Sequence, residues 1–276
     1  MTTIRIDSWA GLHEALFAES WNPSLQRFRS QYAFRGLSDA SYELSTTLTR
    51  LGGRYVDMEA HLLRNFRKYA HHSVLEEDSV WDWLALAQHH GLPTRLMDWT
   101  YSPLVAMHFA TANGAKFDRD GVIWAVHYGR VHEMLPKRLS EELQREGGDV
   151  FTAEMLAEVA PGLQNLERLS EEPFLLFVEP PSMDERIVNQ YALFSMLSAP
   201  HASLDEWLAA HPAVWRKIVI PADLKWEIRD KLDQANVTER VLFPGLDGLS
   251  RWLTRHYRPR STAPDQDGVV HRSEPL

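Results

Sequence analysis

Apolar residues recur along this chain with two spacings, one helical and one alternating. After a short run over Ile4 to Asp7 that reads as a strand, Ser8 can cap a helix in which Trp9, Leu12, Leu16 and Phe17 recur at roughly helical spacing. Gln31 to Arg35 reads as extended, and Ser45 to Gly53 is polar with glycines. A helix is predicted over about Tyr55 to Ala70, with Leu62, Leu63, Phe66 and Tyr69 on its buried side, and another over Val80 to His89. Gly91-Leu92-Pro93 ends that helix, since proline disfavours helical geometry at the preceding residue and lacks the N–H a continuing helix needs. Ser102-Pro103 starts the next one, a capping serine followed by proline at the first helical position. Thr94 to Tyr101 is therefore an extended segment held between two helices.

Downstream, Gly121 to Val126 is β-branched and aromatic between turn formers, which predicts a strand. Residues 129–172 are charged, with Glu and Leu at helical intervals, and read as a helical insertion. Phe174 to Val178, Arg186 to Leu197 and Trp215 to Ile220 read as three further extended runs. Pro221-Ala222-Asp223 opens a helix to about Gln234, and Leu246 to His256 forms the last. From Arg258 the sequence is rich in Pro, Asp, Ser and Arg and reads as a disordered tail over 258–276. Helices gather before Gly121 and strands after it. The expected fold is α+β, a mixed, mainly antiparallel central sheet flanked by helices, in one domain over 1–257.

Composition narrows the chemistry. The 276 residues include no cysteine, which removes disulfides, thiol nucleophiles, iron-sulfur clusters and thiolate zinc sites together. The formal charge of -9 argues against nonspecific nucleic-acid binding, which depends on clustered Lys and Arg. The start carries no apolar signal core and no run of about 18 apolar residues occurs, so no membrane association and a cytoplasmic location are expected. Neither Gly-x-Gly-x-x-Gly after a strand, nor Gly-x-x-x-x-Gly-Lys-Ser/Thr, nor Gly-x-Ser-x-Gly occurs, so the usual glycine phosphate cradles and the hydrolase elbow are missing.

The densest chemistry lies in Gln88 to Ala110, where three histidines, an arginine, an aspartate and hydroxyls stand between apolar runs. Adjacent helical residues point about 100° apart, so His89 and His90 cannot easily share one ligand. His90, next to the bend, is the one assigned to the site, with helix capping as the alternative for either ring. No metal site is expected, because no His-x-x-x-His and no helically spaced carboxylate accompanies them. Asp98 alternates with Met97 and Trp99 and needs a partner to stay charged among apolar neighbours: Arg35, Arg95 or His90. It could also act as a general base or cap the following helix. Trp99 and Tyr101 could stack on a ligand ring or fill the core. Thr94 could bond a ribose or stabilise the turn.

Tyr32-Ala33-Phe34-Arg35-Gly36-Leu37, Gln88 to Ala110, Arg186 to Phe194 and, more weakly, Leu242 to Leu249 resemble the segments of the FRG family, named for Phe-Arg-Gly. Ala192 stands where that family usually has glycine, and Gly245 where it often has aspartate. The order Phe34-Arg35-Gly36, then Thr94 and Thr100 leading to Ala106-Met107-His108-Phe109, then the 186–194 run, is also similar to ADP-ribosyltransferases. That resemblance implies NAD as co-substrate and a transferase passing ADP-ribose to a macromolecular acceptor, or a glycohydrolase, acting as a toxin or phage-defence effector. Arg35 would hold a pyrophosphate through its fork, an internal carboxylate such as Asp98 being the alternative partner. Gln190 falls where such enzymes carry a catalytic glutamate. It can bond a ribose but cannot act as a base, and Glu179 or Glu185 could supply the carboxylate. The candidate set is then His90, Asp98 and Gln190 for catalysis and Arg35, Gly36, Thr94, Arg95, Trp99 and Tyr101 for the cofactor. A nucleotide or phosphate-ligand binding module without chemistry needs the same arginine and aromatic residues but no base, and a protein-binding scaffold needs neither.

Overall fold

A computed structural model describes residues 2–70, 79–182 and 184–260. Most of the tail expected from Arg258, residues 261–276, lies outside the described residues. In chain order the strands are β1 (Thr2–Arg5), β2 (Trp21–Asn22), β3 (Arg27–Phe28), β4 (Tyr32–Leu37), β5 (Met97–Thr100), β6 (Gly121–His127), β7 (Leu175–Val178), β8 (Ala192–Leu197) and β9 (Trp215–Ile220). β2 and β3 form a small hairpin, and the other seven make one sheet in the order β1-β9-β6-β4-β5-β8-β7. Only β1 and β9 run parallel, so the sheet is mixed and mainly antiparallel, as the patterning predicts. The first strand sits two residues earlier than Ile4 to Asp7, because β9 pairs with residues 2–5 and Ser8 already caps helix Trp9–Phe17.

Side-chain alternation divides the core. One face of β9, β6 and β4 presents Ile218, Ile123 and Phe34 to helices Trp9–Phe17, Pro103–Ala110 and Lys225–Gln234. On β8 and β7, Phe194, Met196 and Leu176 pack with a separate helical group that includes Val80–His89 and Ala153–Val159. Trp99, Trp124, Phe177 and Trp215 fill a third cluster with Ala33, Leu193 and Tyr128. The seam between the first two groups falls where the sheet is weakest. β4 pairs with β6 along its whole length, but it meets β5 at a single pair, Phe34 and Thr100.

Residues 128–167 hold four short helices, and they close the outer edge of β7. Phe151 N–H donates to the Phe177 carbonyl (3.1 Å), and Glu179 N–H donates to the Phe151 carbonyl (2.8 Å). His132 Nε2 accepts the Phe177 N–H (3.0 Å). Occupying the Phe177 and Glu179 donors blunts the edge against pairing with another chain. Acceptance by Nε2 places the His132 ring proton on Nδ1, which faces the Asp149 carbonyl at 2.9 Å, and burial holds the ring pKa down to about 4.

Two expectations need correction. Tyr69 is exposed, and helix Tyr55–Tyr69 buries Glu59 and Leu63, because Arg95 draws Glu59 into the core. Arg186 to Leu197 is not one extended run. Asp184 accepts the Ile187 N–H (3.0 Å) and caps a short helix, Glu185–Asn189, so Gln190 follows a helix rather than sitting within a strand. Among the described residues no helix is long and apolar enough to cross a membrane.

Candidate functional site

A cavity of about 330 Å³ opens at the seam between β4 and β5. Arg35, Asp98 and Gln190, drawn from three distant segments, all line it, together with Gln88, His89, Thr100, Phe109 and Arg186. Arg35 follows the last residue that β4 pairs with β5. Its Nη1 donates to the Asp98 carbonyl (2.5 Å) and lies 4.0 Å from the Asp98 carboxylate. Its Nε is buried without a hydrogen-bond partner. Burial pushes the guanidinium pKa down from its ordinary value, and Asp98 opposes that shift. Its intrinsic basicity still keeps an arginine charged.

Asp98 is not the buried carboxylate that its apolar neighbours suggest. Its side chain is 62% exposed. Because β5 alternates, Met97 and Trp99 go inward and Asp98 projects toward the cavity, opposite Phe194. Gln88 Nε2 donates to Asp98 Oδ1 (3.1 Å), and Thr94 Oγ1 donates to Gln88 Oε1 (2.6 Å). The threonine therefore fixes which end of the Gln88 amide meets the carboxylate. Gln190 is tied through side chain and backbone: its Nε2 donates to the Leu242 carbonyl (3.0 Å), and its backbone carbonyl accepts Thr100 Oγ1 (2.7 Å).

Helix Val80–His89 ends in a hydrogen-bonded turn that decides between the two histidines. Gly91 takes φ +82° as its N–H bonds to the Gln88 carbonyl, and Leu92 N–H reaches back to Ala87. This turn leaves His89 lining the cavity and paired with Asp184 (2.6 Å). His90, the sequence choice, is exposed at the helix cap and lines a neighbouring surface pocket instead.

The other expected ligand contacts resolve into support or lie elsewhere. Thr94 is buried and takes no place in the cavity wall. Arg95 is buried against Glu59, with further bonds to the Ser198 carbonyl (2.7 Å) and Glu167 (2.9 Å), because a guanidinium in the core must be matched by carboxylate. The Trp99 ring lies in the core, its Nε1 donating to Ser195 Oγ (2.8 Å), although the residue borders the cavity. Gly36 also borders the cavity, but its missing side chain serves packing: a Cβ there would stand 1.9 Å from the Ala106 carbonyl oxygen.

Tyr101 faces a larger, separate cleft of about 1170 Å³ with Tyr128, Tyr191 and several acidic residues. There its hydroxyl donates to Glu179 (2.7 Å), and burial with that bond raises its pKa. The smaller cavity is the candidate site because Arg35, Asp98 and Gln190 meet in it. Size alone would favour a cleft that contains none of the three.

Gln88, His89 and Arg186 are cavity residues that the sequence reading did not assign. For Gln88 a signal existed: it lies four residues beyond Leu84 and seven beyond Trp81, both buried, so an amide sits on the apolar face of its helix. Among the described residues no group of three or more His, Asp or Glu side chains could hold a metal ion.

Residues 30–119 match the family model described as FRG domain. That stretch includes Arg35, Gln88 and Asp98 and stops short of Gln190. No curated protein and no solved structure matches the chain.

Proposed function

We propose, for a chain whose residues 30–119 match the FRG domain model, that the Arg35 cavity takes NAD as substrate. Cleavage at the nicotinamide ribose then passes ADP-ribose to an acceptor or to water. The observation that carries this reading is the meeting of Arg35, Asp98 and Gln190 at the split in the sheet. The cavity, at about 330 Å³, falls at the lower end of the range for small-ligand sites, roughly 300 to 1,000 Å³, and suits a mononucleotide half of the substrate. Arg186, exposed at the wall and stacked over Phe243 (5.4 Å), would meet the remainder.

Arg35 and Arg186 would grip the pyrophosphate by charge-assisted hydrogen bonds. Asp98 stands where an exposed carboxylate can oppose positive charge developing on the ribose and accept the proton of an attacking hydroxyl. Gln88 aims that carboxylate. The Gln190 amide is held by Leu242 through Nε2, which leaves its oxygen for a ribose hydroxyl. His89, oriented by Asp184, is placed to move a proton.

A second reading is favoured by the absence of glutamate among the described residues of this wall and by the exposure of Asp98: a nucleotide or phosphate-ligand binding module without turnover. Incubation with NAD separates the two. Nicotinamide release that disappears in Arg35→Ala and Asp98→Asn supports the enzyme. Binding of NAD without release selects the module, and neither binding nor release overturns both.

A further inference from the structure

Across Phe109 from the Arg35 cavity lies a second pocket of about 810 Å³, among helices Pro103–Ala110, Lys225–Gln234 and Leu246–His256. Its walls are aromatic. Phe117 meets Trp226 edge-on (4.9 Å), and Phe109 meets Phe243 edge-on (6.2 Å). Arg251 lies over the Phe243 ring at 5.5 Å.

The cations around this pocket divide into spent and unspent. Arg255 is held by Asp233 and Glu239, and the buried Arg229 shares those two carboxylates. Arg251, Arg258 and Arg260 are exposed on the pocket wall and form no ion pair with a described carboxylate. Asp118 and Asp223 are exposed in the same wall, near Phe117 and Trp226 in sequence.

On the floor is His108, fully buried, whose Nδ1 accepts Arg229 Nη1 (2.8 Å). That bond puts the proton of a neutral ring on Nε2. Nε2 is buried without a hydrogen-bond partner, and the Val237 backbone acts on the ring without meeting hydrogen-bond geometry. Three unspent guanidiniums, paired aromatic rings and rim carboxylates fit a ligand that joins an anionic group to a flat ring bearing amino groups.

We propose that this pocket is a second nucleotide site. Arg251, Arg258 and Arg260 take the phosphates, the base packs against Trp226 and Phe117, and its amino edge faces Asp118 and Asp223. The proposal is independent of the Arg35 cavity, with which the pocket shares Phe109.

The test is calorimetry on the full chain with ADP and with inorganic pyrophosphate, in an Arg35→Ala background that silences the first cavity. ADP is expected to bind at one site. The paired change Arg251→Ala and Arg258→Ala, both at exposed positions, should weaken ADP and pyrophosphate about tenfold or more. Trp226→Ala should weaken ADP and spare pyrophosphate. Failure of ADP to bind the Arg35→Ala protein, or indifference to the arginine pair, would overturn the site. Equal effects of Trp226→Ala on both probes would overturn the base seat. Loss of binding through Arg35→Ala in the wild-type comparison reads only the first cavity, so the two readings fail separately.

Discussion

Where β4 and β5 part, the Asp98 carbonyl receives Arg35 Nη1 in the position where a paired strand would offer a backbone N–H. One arginine thus bridges the split in the sheet and borders the cavity. Arg35→Lys keeps the charge but cannot both bridge and bind, since an ammonium lacks the planar fork. It is expected to weaken ADP-ribose binding about tenfold or more, and loss of the carbonyl bond should cost roughly 1.5 to 3 kcal/mol in urea unfolding. Thr94→Val releases the Gln88 amide to rotate. The expected result is a loss of about 1 kcal/mol of stability and a fall in turnover with little change in KM, read by steady-state kinetics. A site residue could be picked out in the sequence where its type was unusual for its surroundings, as with Arg35 beside glycine and Asp98 between apolar residues. The choice between His89 and His90 could not be made there, because it turns on how the end of the helix is seated against the sheet.

At the scale of elements, two packing devices stabilise the framework around the cavity and carry no chemistry. Helix Pro103–Ala110 lies so close to β4 that Gly36→Ala places a methyl group against the helix backbone, with no flexible side chain to give way. A loss of about 3 kcal/mol or more is expected, seen as a lowered thermal midpoint. Arg95→Ala leaves Glu59 buried without its partner and should cost about 3 to 5 kcal/mol, while the protein that remains folded keeps its ligand affinity. A drop in affinity at full stability would instead place Arg95 in the site. Strand and helix rhythm revealed most elements, including the capped start at Ser102-Pro103. The helix Glu185–Asn189 was hidden because Ile187 and Val188 favour a strand locally, and the Asp184 cap decides otherwise.

For the whole molecule, buried neutral histidines set the response to acid. Burial holds His132 at about 4 and His108 at about 3, where an unfolded chain would titrate near 6.5. Between those values the unfolded chain binds the extra protons, so stability is full above about pH 6.5 and falls as pH drops toward the folded values. Each histidine contributes a slope of up to about 1.4 kcal/mol per pH unit. Glu239 adds a loss of the same sign between its ordinary range and about 2: burial opposes its charged form, but Arg255 and Arg229 outweigh burial. Urea titrations from pH 7 to 4 should show this decline, and His132→Gln should flatten it by about one proton. The sheet order was not legible in the sequence, because pairing β4 between β6 and β5 joins segments whose contacts no local pattern encodes.

The same long-range pairing brings Arg35, Asp98 and Gln190 to one cavity. A crystal structure of the chain with ADP-ribose bound would show whether that cavity is a nucleotide site. The pyrophosphate should lie within hydrogen-bond reach of the Arg35 guanidinium, with the terminal ribose between Asp98 and Gln190. ADP-ribose bound only elsewhere, with the Arg35 cavity empty at millimolar ligand, would contradict the assignment.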